Sequence, residues 1–332
     1  MQDKITLAMG NGGQENNELI SKIFYKAFQN DVLNKSEDSA ILKLDSSKVA
    51  MSTDSFTVSP IFFNGGDIGK LSICGTCNDL AMMGAKPKFL TCSVMIEEGF
   101  DIEKLERIVE SMRKELEVNE ALIVSGDTKV VPRGAVDKIF INTTGIGEIF
   151  YDGISAHKLE EGMSILVSRD VGAHGATIFI AREGMEIESD LKTDCESLYP
   201  QIKALVDAKV DIVATRDATR GGVAAVLNEW AKASKVCIEI EEQSVPVCDE
   251  VNGVCELLGF EALNLANEGT FVLCVPSKDE QKALEVLKTF YNSASIVGKV
   301  SKLHLEKVVL NSPWGTKRFL DMPSGELLPR IC

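Results

Sequence analysis

Four aspartates stand in similar settings along the chain: Asp38 in SEDSAIL, Asp54 in AMSTDSF, Asp79 in CNDLAMMGA and Asp127 in IVSGDTKVV. Each adjoins an apolar segment, where an aspartate taken singly caps a helix or closes a turn. Their joint pattern points to a different chemistry. Mg²⁺ takes a few carboxylates and completes its shell with phosphate oxygens and water, and strand ends converging on one cleft would present such a set. Glycine-rich stretches supply the complement. GNGG at 10–13, NGGDIG at 64–69 and TRGG at 219–222 let backbone N–H groups approach an anion, the last of them at the start of an expected helix. None has the G-x-x-x-x-G-K-S/T spacing of a P-loop, so a nucleotide bound here is held in another way.

Lys129, two residues after Asp127, joins Arg133, Arg216 and Arg220 as the cations near these motifs. They can offset phosphate charge, or they can be solvated loop residues. Glu268 in LANEGTF lies between an apolar turn and an expected strand. A half-buried carboxylate there holds its proton more tightly and can act as a proton acceptor, and a plain turn carboxylate fits the same position. His157 and His174 are the mid-chain histidines, and His174 in VGAHGATIF reads as a cap or packing residue. Cys332 follows DMPSGELLPRI, where Pro323, Gly325 and Pro329 resist regular structure. A thiol on such a tether is suited to carrying a group, since an extended chain spans at most about 3.5 Å per residue. A frayed end is the plain alternative.

The other eight of the nine cysteines fall mostly in apolar segments, and an odd number argues against a disulfide framework. Cys74 and Cys77 form a C-x-x-C, but no second pair at zinc spacing follows and the chain has three histidines. Packing is the expected role.

These residues must be positioned by a chain of 332 residues, long enough for two domains. A hydrophobic content of 45% and a charged content of 26% are those of a soluble globular protein. A net charge of −15 opposes nucleic acid and anionic membranes. No run has the length of a membrane span and no secretion signal is visible, so the expectation is a cytoplasmic protein.

Periodicity predicts a first helix over 16–29, with Leu19, Ile20, Ile23, Phe24, Ala27 and Phe28 on one face. Strands are expected at 39–44, 48–53, 89–96, 121–125 and 138–147, with helices at 68–84 and 101–117. A boundary follows near Glu148–Glu161. The second half repeats the mixture, with helices at 173–183, 196–209, 222–233, 247–258 and 279–290 and strands at 164–168, 236–241, 270–275 and 306–310. Such alternation predicts an α/β or α+β protein of helices layered on sheets.

The segments STDSFTVSPIFFNGGDIGKL, GTCNDLAMMGAKP, GDTKVVPRG, RDATRGGVAAVLNEWA, NEGTF and the terminal PRIC together resemble the HypE family of hydrogenase maturation proteins. That family belongs to a superfamily with aminoimidazole ribonucleotide (AIR) synthetase, selenophosphate synthetase and thiamine-monophosphate kinase. The likeness covers nearly the whole chain, and PRIC distinguishes this family within the superfamily. Two positions depart from the pattern: Met9 and Asn11 replace a His and a Ser of the first glycine motif, and Cys77 stands where an aliphatic residue is expected.

The resemblance implies an α/β (α+β) two-domain PurM-like fold, with residues 1–150 binding ATP and Mg²⁺ and pairing in a homodimer. Residues 151–320 would form the second domain and 321–332 a flexible tail. It implies that Cys332 receives a carbamoyl group from the partner HypF and that ATP drives its dehydration to a thiocyanate. The cyano group would then pass to a HypC–HypD complex for the iron of a nickel-iron hydrogenase. Asp38, Asp54, Asp79 and Asp127 would hold Mg²⁺ and phosphates, with Gly12, Gly13, Asp217, Arg220, Gly221 and Gly222 completing the nucleotide site. Lys129 and Glu268 would stand at the reacting group. The competing readings are another ATP-dependent synthetase of the superfamily, which leaves PRIC without a role, and a metal-binding assembly factor without enzymatic activity, which the scattered cysteines and few histidines disfavour.

Overall fold

The computed structural model describes residues 3–10, 14–35, 39–183 and 190–324. The first helical run forms where periodicity puts it, as α1 (Gln14–Leu19), a wider π-helical stretch (Ile20–Tyr25) and α2 (Lys26–Phe28). It buries Leu19, Ile23, Phe24 and Phe28. The strand expected at 39–44 does not form. Ile41 is 88% exposed, and the Leu7–Gly10 turn packs on the neighbouring sheet edge, so that edge offers the segment no partner.

Strand β1 (Val49–Phe56) leads to a short hairpin, β2 (Phe62–Phe63) and β3 (Gly66–Asp67), which feeds α3 (Ile68–Met82). Asp67 caps α3 by accepting from the backbone N–H groups of Gly69 and Lys70 at 2.8 and 3.0 Å. Then come β4 (Ala85–Glu97), α4 (Ile102–Asn119), β5 (Leu122–Val131) and β6 (Ile139–Ile149). The sheet order is β1-β6-β4-β5, antiparallel except for β4 and β5. That parallel pair needs a crossover, which α4 supplies. Alternation gives this sheet one buried face, carrying Leu90, Val94, Ile96, Ile139 and Ile141. The other face is open, with Met51 70% and Met95 45% exposed.

The second sheet has seven strands: β7 (Ser164–Val167), β8 (Ala214–Asp217), β9 (Cys237–Glu241), β10 (Phe271–Val275), β11 (Ser295–Ser301), β12 (Lys307–Asn311) and β13 (Lys317–Phe319). Their order is β13-β12-β9-β11-β7-β10-β8. Its helices are α5 (Ala173–Glu183), α6 (Tyr199–Asp207), α7 (Gly222–Ser234), α8 (Asp249–Leu258) and α9 (Glu280–Lys288). Leu166, Phe271 and Leu273 pack with α6 and α9 on one face, whereas Val167, Val272 and Cys274 pack with Leu227 and Trp230 of α7 on the other. Both faces are therefore covered, and β10 is buried at every residue. Strands β8, β11 and β13 and the β2–β3 hairpin are not anticipated by the sequence pattern.

Helix α3 joins the halves. It touches α4, β1 and β6 on one side and α6 and β8 on the other, and nearly all of its residues are buried. Gly69 makes the α3–α4 approach possible, since a Cβ there would lie 2.2 Å from the Ile108 carbonyl oxygen.

Candidate active site

Between the two sheets lies a cavity of about 720 Å³. Asp54 enters it from β1, Asp79 from α3, Asp217 from β8 and Glu268 from the turn before β10, with Arg216 and Arg220 at its wall. Gly75, one turn before Asp79, lets β1 close on α3: a Cβ there would meet the Phe56 ring at 2.8 Å. Ser52 donates its hydroxyl to Asp79, and the Asp54 and Asp79 carboxyls lie within hydrogen-bonding reach of one another.

Burial and mutual repulsion dominate the electrostatics here. Burial, and then the neighbouring Asp79, push the Asp54 carboxyl up to about 6, with Arg220 opposing. Burial pushes Asp217 up to about 7, and Asp79 adds to the effect while Arg216 opposes it. Glu268 is held well above the usual carboxylate range, first by burial and then by Asp217, Asp194, Asp54 and Asp79. Packing this many acids into one pocket is stable with protons on some of them, or with a cation among them. Among the described residues no three His, Cys, Asp or Glu side chains are grouped so as to hold a metal ion unaided. Mg²⁺ that draws most of its shell from phosphates and water needs only one or two carboxylates, and the Asp54–Asp79 pair meets that requirement.

Asp127 and Lys129 are elsewhere. They lie on β5 at the opposite edge of the first sheet, 3.0 Å apart as an exposed ion pair. They line a separate cavity of about 450 Å³ roofed by Ile20, Phe24, Tyr25 and Phe28 of the first helical run. Asp54 is opposite Thr143, Thr143 opposite Cys92, and Cys92 opposite Gly126. Three strand spacings of about 4.8 Å therefore separate Asp54 from the residue beside Asp127, about 14 Å. Contrary to the sequence expectation, one chain does not gather Asp54, Asp79 and Asp127 around one ion, nor does it bring Lys129 to Glu268. Spacing along the chain carries no information about strand order, and that order puts β1 and β5 at opposite edges.

The models for AIR synthase related proteins match this chain in both parts, the N-terminal domain at residues 36–149 and the C-terminal domain at 160–311. Carbamoyl dehydratase HypE of Escherichia coli K12 is 45% identical over 338 residues, covering 99% of this chain and all of that protein. The chain belongs to the HypE family of carbamoyl dehydratases. A crystal structure of hydrogenase maturation protein HypE in complex with ATP superposes with a TM-score of 0.95 at 43% identity, covering 98% of this chain and 99% of that one. A crystal structure of a HypE–HypF complex matches with a TM-score of 0.79 at 42% identity, covering 92% of this chain and 99% of that one.

Of the other positions that the HypE resemblance singles out, Asp38, Gly12, Gly13 and Cys332 lie outside the described residues. Gly221 and Gly222 open α7, with φ of +74° and +60°, but neither lines the Asp54–Asp79 cavity. A Cβ on Gly222 would lie 2.4 Å from the Leu263 carbonyl oxygen, so this glycine serves close packing. Arg133 sits in a separate depression with Lys104 and Lys138. His157 faces the Ala233 carbonyl at 3.2 Å. His174 is buried against Phe63 with Nδ1 2.7 Å from the Thr193 hydroxyl, and burial pulls it down to about 4. Neither histidine lines the cavity. Cys74 and Cys77 are buried in α3 as free thiols held above the ordinary range by burial, in keeping with the packing role expected of them. Sequence reasoning missed Ser52, Thr215, Thr219 and Trp230 of the cavity.

Proposed function

We propose that this enzyme uses ATP to dehydrate a carbamoyl group carried on Cys332, yielding the thiocyanate that supplies a cyanide ligand to hydrogenase iron. The observation that carries the proposal is the inter-sheet cavity, where the half-buried Asp54 and Asp79 meet the buried Asp217 and Glu268 beside Arg216 and Arg220. The balance is R–S–C(=O)NH₂ + ATP → R–S–C≡N + ADP + phosphate + H⁺. The carbamoyl oxygen is a poor leaving group, so it takes the γ-phosphoryl group as the bond to ADP breaks. The C–O bond then breaks as phosphate departs, and two protons leave nitrogen.

Asp54 and Asp79 would hold Mg²⁺, which offsets charge on the transferring phosphoryl group. Arg220, at the cavity wall beside Asp54, adds positive charge to the same space. Glu268 would take an N–H proton. Its high proton affinity owes part of its size to the neighbouring aspartates, so neutralising them makes the ionised, accepting form accessible.

Homodimer formation accounts for the two separated edges. The open face of the first sheet, with Met51 and Met95 exposed, is covered by a second copy. That copy's β5 edge then stands beside β1, placing its Asp127 and Lys129 at the first copy's phosphates. The cavity beneath Phe24 and Phe28 combines those rings with polar groups such as Asn16 and Ser39, a mixed lining suited to the nucleobase. HypF is the proposed carbamoyl donor and a HypC–HypD complex the proposed acceptor. The HypE–HypF complex structure among the similar proteins supports the donor.

The test is mass spectrometry on the full chain incubated with HypF, carbamoyl phosphate and ATP. The adduct expected on the C-terminal peptide is lighter by one water than a carbamoyl group, with the carbamoyl adduct itself accumulating on an Asp79→Asn chain. An adduct that persists in a Cys332→Ser variant would reject the carrier.

A further inference from the structure

Glu268 stands on a turn with its backbone tied down on both sides, and the ties come from Asp194, outside the motifs, and from Asn78, the neighbour of Asp79. Asp194, in the segment before α6, is 2% exposed. Its Oδ1 accepts from the Glu268 N–H at 3.0 Å, and its Oδ2 accepts from the Gly269 N–H at 3.0 Å and from the Thr270 hydroxyl at 2.7 Å. The Glu268 carbonyl accepts from Nδ2 of Asn78 at 3.3 Å. The same nitrogen reaches the Glu196 carbonyl at 3.0 Å, and Asn78 Oδ1 accepts from the Leu198 N–H at 2.8 Å. Asn78 immediately precedes Asp79 on α3 and is itself 1% exposed. Gly269 allows the close approach, since a Cβ there would lie 1.8 Å from the Asp194 carbonyl oxygen.

A buried carboxylate costs several kcal/mol unless its oxygens are satisfied, so one that uses both oxygens on a single turn locks that turn's conformation. Asn78 couples the turn to the helix that carries Asp79. Together they set where Glu268 stands relative to Asp79, across the junction between the two sheets. We infer that Asp194 and Asn78 are positioning residues for dehydration, holding the Glu268 peptide so that its carboxyl meets the carbamoyl nitrogen. The inference rests on reading Glu268 as the proton acceptor.

The experiment uses the full chain, carbamoylated and freed of nucleotide, with ATP and Mg²⁺ then added and the dehydration rate followed across ATP concentrations. Asp194→Asn keeps the volume but replaces one accepting oxygen with a donor facing an N–H group. Its kcat is expected to fall about 10- to 100-fold, the scale of a displacement near 1 Å, with KM for ATP changed less than about threefold. In a Glu268→Gln background the same substitution is expected to cost nothing further, because the group it positions is already gone. Loss confined to KM, an unchanged rate, or losses that multiply in the double variant would overturn the positioning role. A fully active Glu268→Gln would remove the acceptor reading itself, and this inference with it. If Asp194→Asn fails to fold, Thr270→Val removes one hydrogen bond from the same carboxylate. A few-fold drop in kcat that disappears in the Glu268→Gln background then supports the inference, and no drop overturns it.

Discussion

The two sheets solve the problem of burial differently. The seven-stranded sheet is covered on both faces, by α6 and α9 on one and α7 on the other, and its strand β10 has no exposed residue. The four-stranded sheet is covered on one face only and leaves methionines in the open on the other. It also divides the expected chemistry between its two edges, with Asp54 on β1 and Asp127 and Lys129 on β5. One sheet is complete in a single chain, and in the proposed homodimer the other is half of something larger. A catalytic set that looks scattered in one copy can be whole in two.

The strongest test of that contrast is chemical. Asp79→Asn is expected to fold normally and lose about a thousandfold or more of the dehydration rate, the scale seen when a pre-organised electrostatic partner is removed. Wild-type-like turnover would take Asp79 out of the site. Mixing Asp79→Asn chains with Lys129→Ala chains then asks whether sites are shared. Random pairing of two inactive variants makes half the dimers mixed, each with one intact shared site, so about a quarter of wild-type activity should return. No recovery after exchange of subunits would mean that each chain works alone.

The same contrast can be read in stability. Leu273→Ala, in the core of the closed sheet, is expected to cost about 2–5 kcal/mol in denaturant unfolding. Met51→Ala on the open face should cost the isolated chain less than about 0.5 kcal/mol, while Met51→Asp should shift sedimentation toward monomer. Equal costs at the two positions would erase the distinction between the faces.

A modest effect is expected at Glu196, beside the junction of the sheets. Burial raises its carboxyl to about 7, against the opposing charge of Arg169, whose guanidinium lies 3.4 Å away. The native state therefore holds a proton that the unfolded state releases near 4.5. That contribution to stability is present in full below about pH 4.5 and is lost as pH rises toward 7. Glu196→Gln should flatten this slope, making the variant more stable relative to wild type at pH 8 than at pH 5 by on the order of 1 kcal/mol. Parallel stability curves for the two proteins would contradict the assignment.

How far the sequence reveals this molecule follows from what each pattern encodes. Alternation and helical periodicity are local, so β4, β6, α4 and α7 stand close to where the sequence placed them. Strand β8 has four residues, two of them charged, and β11 carries Gly298 where the Glu239 carbonyl comes close. Neither shows enough apolar pattern to stand out. The aspartate motifs correctly brought Asp54 and Asp79 together because β1 and α3 pack directly. They did not show that Asp127 stands at the opposite edge of the same chain's sheet, because edge position is a property of the whole sheet. The roles of Asp194 and of Asn78, which stands beside Asp79 in its motif, were not legible for another reason: they act on backbone groups, and backbone partners leave no residue signature.

The enclosure of α3 has one more consequence. A helix gripped on every side can neither turn nor slide without opening both cores, so Asp79 keeps one address throughout the reaction cycle. Whatever travels during turnover must therefore come to this fixed post.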